Sequence, residues 1–226
     1  MHYSVWDLPI RLFHWGLVGG VGLAFYTMKL GGAPFLFPVQ VHAKAGYVVL
    51  GLLLFRWLWG LVGSPHARFR NFLHGPATML AYARHLLKGP PPVYAGHNPM
   101  GGAMVLIMLV SLTFQATSGL FLTDDIFFRA PLYGLFGRDV SRELQTLHHL
   151  NADLLMVLIA VHLLALIVHR LKGESLVVAM FTGRKRLPKE PEDASVGTAG
   201  RGRPNRWLLL AAMALAAVPV IWLWNA

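Results

Sequence analysis

The stretch LHHLNADLLMVLIAVHLLALIVHRL, residues 147–171, decides how this chain is read. It is apolar enough, and long enough, to cross a hydrocarbon core of roughly 30 Å, which takes about 20 helical residues. Yet it carries histidines at positions 148, 149, 162 and 169. An ionisable side chain inside a membrane span is costly and marks a function by default. On an α-helix, fourteen residues correspond to about 21 Å of rise, and His148 and His162 are offset by only about 40° around the axis. His149, thirteen residues from His162, lies on a different face. His148 and His162 therefore form the two-level pair on this span.

Outward from that span, the remaining sequence has the same character. Hydrophobic residues make up 55% of the 226 and charged residues 13%, about half the charged share of a soluble domain. Mean hydropathy is +0.52. Five spans are predicted, near 10–28, 42–62, 100–122, 146–169 and 207–224. The first reads as a retained span, since a cleavable leader would show a basic n-region and a small-residue cleavage site. There is no cysteine. Thiolate-bound clusters and covalent CxxCH haem attachment are thereby excluded. Net charge is +10 and the pI about 10.4. In a soluble protein this would raise nucleic-acid binding. Here the charge is sorted by loop, and no nucleic-acid partner is expected.

Basic residues in short loops mark the cytoplasmic side. The 63–97 loop has Arg68, Arg70, Arg84 and Lys88 and no acid, and 170–206 has nine basic residues against four acids. The 30–41 loop is uncharged, and 123–145 has three basic residues against four acids. The second and fourth loops are thus read as inside, with the N-terminus cytoplasmic and the C-terminus periplasmic. Loop 76–89, PATMLAYARHLLKG, reads as a short interfacial amphipathic helix. One or two short surface helices are expected within 123–145. Mixed Gly, Pro, Ser and charge make 173–206 a flexible cytoplasmic linker. The predicted organisation is a 1–172 membrane domain, this linker, and a C-terminal span in 207–226.

The topology groups histidines of the first, second and fourth spans. His42 begins the second span at the outer level of His148, and His14 lies near the inner start of the first, at the level of His162. The predicted pairs are His42 with His148 and His14 with His162. A single membrane histidine is commonly a helix–helix hydrogen-bonder or a proton relay. Four that agree on two levels fit ligands better, as in a membrane cytochrome carrying two b-type haems. Paired histidines leave iron no open position, which points to one-electron transfer. Arg11, three residues before His14, is placed to reach propionates of an inner haem, and Arg56 either joins it or snorkels. His97 and His169 are weaker candidates, and His2, His66, His74 and His85 are expected at solvent or lipid head groups. Asp153 reads as a partner of the outer histidines or a polar cap.

The elements VWDLPIRLFHWGL (5–17), HAKAGYVVLGLLLFRWLWG (42–60), GHNPMGGAMVL (96–106), TDDIFFRAPLYGL (123–135) and LHHLNADLLMVLIAVHLLAL (147–166) together resemble the bacterial cytochrome b561 family, which includes the nickel–iron hydrogenase b-type subunit. The resemblance covers roughly 3–172. It implies an all-α integral membrane protein: a four-helix transmembrane bundle binding two b haems, here with a fifth C-terminal transmembrane helix. It implies His14, His42, His148 and His162 as the iron ligands. It further implies a bacterial inner membrane, exchange of electrons with quinone, and a periplasmic redox partner such as a c-type cytochrome or a hydrogenase. The alternative is a stand-alone quinone oxidoreductase, for instance one acting on superoxide. A non-haem di-iron enzyme would need clustered HxxxH or HxxHH boxes, and none is present. A bare structural anchor would have no use for buried histidines.

Overall fold

The computed structural model describes residues 2–32, 35–89, 92–198 and 205–226. Five of its helices are long and apolar enough to cross a membrane. They are α1 (Leu8–Lys29), α2 (Pro38–Val62), α4 (Pro99–Ser118, continued by a 3-10 turn to Phe121), α5 (Arg138–Leu171) and α8 (Arg206–Asn225). Shorter helices are α3 (Pro76–Lys88), α6 (Leu176–Thr182) and α7 (Ala194–Thr198). The protein is an all-α integral membrane protein. On α5, Leu163, Leu164 and Ile167 are more than half exposed, an apolar surface that only lipid or another membrane protein can cover.

The chain divides into two compact units, and each of the five long helices contributes a stretch to both. The first unit is Met1–Leu12, Arg56–Met108 and Ile159–Ala212; the second is Phe13–Phe55, Leu109–Leu158 and Met213–Ala226.

In the first unit, strand β1 (His2–Ser4) pairs antiparallel with β2 (Arg184–Arg186), Tyr3 opposite Lys185. Val5, Ala95 and Leu187 form a buried cluster, joined by Trp6 and Val93. Lys185 Nζ donates to Glu174 Oε2 at 2.9 Å and to the Tyr94 carbonyl at 2.9 Å. Asp193 accepts the backbone N–H groups of Ala95 (2.6 Å) and Gly96 (2.7 Å). These contacts correct the expectation of a flexible linker over 173–206. Residues 174–198 are folded, because Leu187 and the stem of Lys185 are buried and every charge on the inward side has a partner. Residues 199–204 of that stretch lie outside the described residues. The amphipathic α3 forms as expected, with Tyr82 buried.

In the second unit the core is Tyr47, Leu50, Leu120 and Leu223. Small residues set its helix spacing. A Cβ on Gly20 would stand 2.8 Å from Val49 Cγ2, and one on Gly51 would stand 2.4 Å from Val220 Cγ2. α1 and α8 thus both seat closely against α2. Lys44 lies over the Trp224 ring at 5.0 Å. The surface helices expected in 123–145 do not form. Arg138–Gln145 instead extends α5 by two turns, and Asp124 closes the preceding turn by accepting from Ile126, Phe127 and Phe128 through one oxygen.

Candidate functional site

The second unit encloses a cavity of about 370 Å³ between α1, α2, α4 and α5, within the range of cofactor pockets. Its lining includes both His42 and His148. Their ring centres are 6.3 Å apart and their planes cross at 74°. A histidine–metal bond is about 2 Å and the ring centre lies about 1 Å behind the nitrogen, so two imidazoles facing each other through one ion stand roughly 6 Å apart. The observed 6.3 Å matches that distance.

Tautomer and aim are fixed by neighbours. His42 Nδ1 lies 3.0 Å from the Ala24 carbonyl. A carbonyl can only accept, so Nδ1 carries the proton and Nε2 keeps its lone pair. His148 Nδ1 lies 3.0 Å from Ser118 Oγ, and that hydroxyl donates to the Gln115 carbonyl at 3.1 Å. Ser118 therefore accepts from His148, leaving Nε2 of this ring unprotonated as well. Such outer partners set ligand orientation and basicity in metal sites. Gly119 supplies the room: a Cβ there would stand 3.3 Å from His148 Cε1. Gly46, one turn after His42, has nothing within 4 Å of its would-be Cβ and faces the same cavity.

A polar clamp holds α5 against α4 one turn beyond His148. Asn151 Nδ2 donates to Gln115 Oε1 (2.7 Å) and to the Ser111 carbonyl (3.0 Å), and Ser111 Oγ donates to Asn151 Oδ1 (2.8 Å). Among the described residues no group of three or more His, Cys, Asp or Glu is placed to hold a metal ion. Two neutral imidazoles over an apolar cavity instead suit a metal that brings its own equatorial ligands, as a haem does.

The other predicted ligands fall in different units. His14 is half-buried in the second-unit stretch of α1, its ring edge-on to Trp15 at 5.1 Å. His162 is half-buried in the first-unit stretch of α5.

The first unit also gathers buried polar groups. Arg56 is only 3% exposed and lies over Phe69 at 4.7 Å, so it packs inward rather than snorkelling. Its Nη1 and the Nε of Arg11 meet no hydrogen-bond acceptor among the described residues. Arg11 Nη1 donates to the Phe181 carbonyl at 2.5 Å. Trp59, fully buried, donates to Asp7 at 2.9 Å. His97 packs against Trp6 and Phe72, ring centres 4.6 and 4.5 Å away. Burial first, then the charges of Arg56, His66, Lys185 and His162, pushes His97 down to about 3. His66, expected at the surface, is 8% exposed with Asp193 at 3.8 Å. Burial holds His66 below its ordinary value, with Asp193 opposing. Glu174 is disfavoured as an anion by burial. The hydrogen bonds and charges of His169 and Lys185 override this and bring it to about 2.

Sequence reasoning missed Ala24, Ser118, Gly119 and the Ser111–Gln115–Asn151 clamp. The only sequence signal for them was a Ser–Gly pair and polar residues inside an otherwise apolar span.

A family model described as prokaryotic cytochrome b561 matches residues 5–183. A probable Ni/Fe-hydrogenase B-type cytochrome subunit from Rhizobium leguminosarum bv. viciae is 25% identical over 221 residues, covering 84% of this chain and 90% of that protein. A protein of the same description from Rhodobacter capsulatus is 24% identical over 216 residues, covering 80% of each. No solved structure matches.

Proposed function

The chain belongs to the prokaryotic cytochrome b561 family and is a membrane b-type cytochrome, and from that premise we propose that it passes electrons across the bacterial inner membrane between the quinone pool and a periplasmic redox protein. Two haem b groups serve this, with His42 and His148 as the proposed ligands of the periplasmic-side haem and His14 and His162 as those of the cytoplasmic-side haem. Residues 1–172 form the haem-binding domain, and α8 anchors the protein or docks a partner. The names of the two relatives favour a hydrogenase as that partner; a c-type cytochrome is the other candidate.

One observation carries the reading: the 6.3 Å facing of His42 and His148, with both Nδ1 atoms already engaged. A haem b held by these histidines would supply one-electron chemistry. The chain's residues do the rest. Ala24 and Ser118 hold the two imidazoles with Nδ1 protonated, and most of the cavity lining is apolar. Arg56 and Arg11, with donors unmet in the first unit, are suited to the propionates of the inner haem.

A pyridine haemochrome assay on purified protein, combined with reduction by a quinol and co-purification in mild detergent, tests this. Two haems per chain, reduced by quinol and transmitting electrons to a co-purified hydrogenase or cytochrome, are expected. One haem per chain would overturn the two-site reading. Oxidation of superoxide without any partner would favour a stand-alone quinone oxidoreductase.

A further inference from the structure

We propose that Lys29 is the cationic anchor for the carboxylate edge of the cofactor in the second-unit cavity. This rests on reading that cavity as a haem site. Most of the cavity is apolar, represented by Ala24, Leu112 and Leu155, and its polar side chains other than the histidines include Lys29, Thr123, Asp124 and Gln145. Among the lining residues described, Lys29 is the one Lys or Arg. Haem b bears two propionate carboxylates on one edge. A carboxylate taken from water into an apolar cavity is strongly disfavoured unless it meets a counter-charge or donors. That edge must therefore face Lys29. Asp124 repels it, and one of its oxygens already accepts three backbone N–H groups.

The ammonium is loosely held. Lys29 Nζ is 3.0 Å from Asp153 Oδ1, and both side chains are about half exposed. An exposed pair of this kind holds its partners weakly, so Lys29 can share its charge between Asp153 and a propionate. Asp153 then becomes a moderating group. It tempers a positive charge that would otherwise favour the reduced, less positive iron.

The test is a spectroscopic redox titration of the full-length holoprotein in detergent, comparing wild type with Lys29→Gln, Lys29→Arg and Asp153→Asn. The relevant haem is identified as the one that His42→Ala removes. Lys29→Gln should raise its oxidised-to-reduced ratio at fixed potential about tenfold, a fall of about 59 mV for one electron. Asp153→Asn should move it the opposite way, Lys29→Arg should hold it near wild type, and the second haem should not move. Shifts of the same sign in Lys29→Gln and Asp153→Asn, no shift in either, or a shift confined to the other haem would overturn the anchor. Should Lys29→Gln fail to assemble, Asp153→Asn still decides by the presence or absence of its upward shift. If His42→Ala removes no haem, the site itself falls and the anchor with it; if it does remove one and the potentials stay put, the anchor alone falls.

Discussion

His148 and His97 are both poorly exposed histidines packed against aromatic or imidazole rings, yet their surroundings differ in kind. In the second unit, His148 faces another imidazole across a cavity and gives its Nδ1 proton to Ser118. In the first unit, His97 packs against Trp6 and Phe72, and its Nδ1 has no hydrogen-bond partner among the described residues. Burial alone therefore does not make a ligand. What sets His148 apart is an Nδ1 engaged by Ser118 and a cavity beside the ring. His97 is instead held uncharged, first by burial and then by neighbours that include Arg56 and Lys185, and it contributes packing and a polar edge.

The sharpest way to break this contrast is to truncate both rings. His148→Ala should abolish one haem, halving the pyridine haemochrome yield per chain, whereas His97→Ala should keep the full complement and lower thermal stability. Equal haem loss in the two variants would erase the distinction. A smaller effect follows from removing only the orienting partner. Ser118→Ala leaves His148 in place but strips its acceptor, and loss of such a partner commonly weakens metal affinity about 10–100-fold. Competition of the variant's haem against apo-myoglobin measures this; retention equal to wild type would show that Ser118 orients nothing.

Acid should act on the first unit. Histidine titrates near 6.5 when unfolded, and His97 is held at about 3. The unfolded chain therefore gains this proton first, and stability is lost as pH falls from about 6.5 towards 3. Glu174, brought from 4.5 to about 2, adds a loss of the same sign below its unfolded value. Melting curves in detergent across this range should fall less steeply for His97→Gln than for wild type. Parallel slopes would remove His97 as a contributor.

The smallest effect is expected from the fifth span. A chain ending after Thr198 lacks α8 but keeps the 174–198 fold, and it should retain both haems. A chain ending after Gly173 loses the partner of β1 and the Lys185–Glu174 and Asp193 contacts, and its first unit should become protease-sensitive. Haem loss on removing α8 alone would instead make the Gly51–Val220 contact part of the haem-binding core.

These regions were unequally legible in the sequence. Hydropathy located all five spans, four of them to within a few residues at both ends, because one apolar helix needs no knowledge of its neighbours. Loop charge and helical rise led to the expectation that His42 and His148 share a level, and their ring centres stand 6.3 Å apart. By contrast, Arg138–Gln145 was missed as an extension of α5, since its polar residues carry no apolar stripe. The fold of 174–198 was hidden because β2 is three residues long and exists only through pairing with β1. Ser118 and Ala24 were invisible for the same reason: their roles arise from which backbone lies opposite, and a hydroxyl or carbonyl is present in every sequence.

The pairing of Tyr3 with Lys185 has a consequence for how the protein is made. These partners are separated by 182 positions in the chain, and a ribosome adds about 5–20 residues each second. For roughly 10–40 seconds the amino-terminal segment is therefore synthesised but unpaired, while the intervening helices are delivered into the membrane. Completion of the first unit is a late event in biosynthesis, and a nascent chain arrested before residue 186 should present residues 2–6 to proteases and chaperones as an open end.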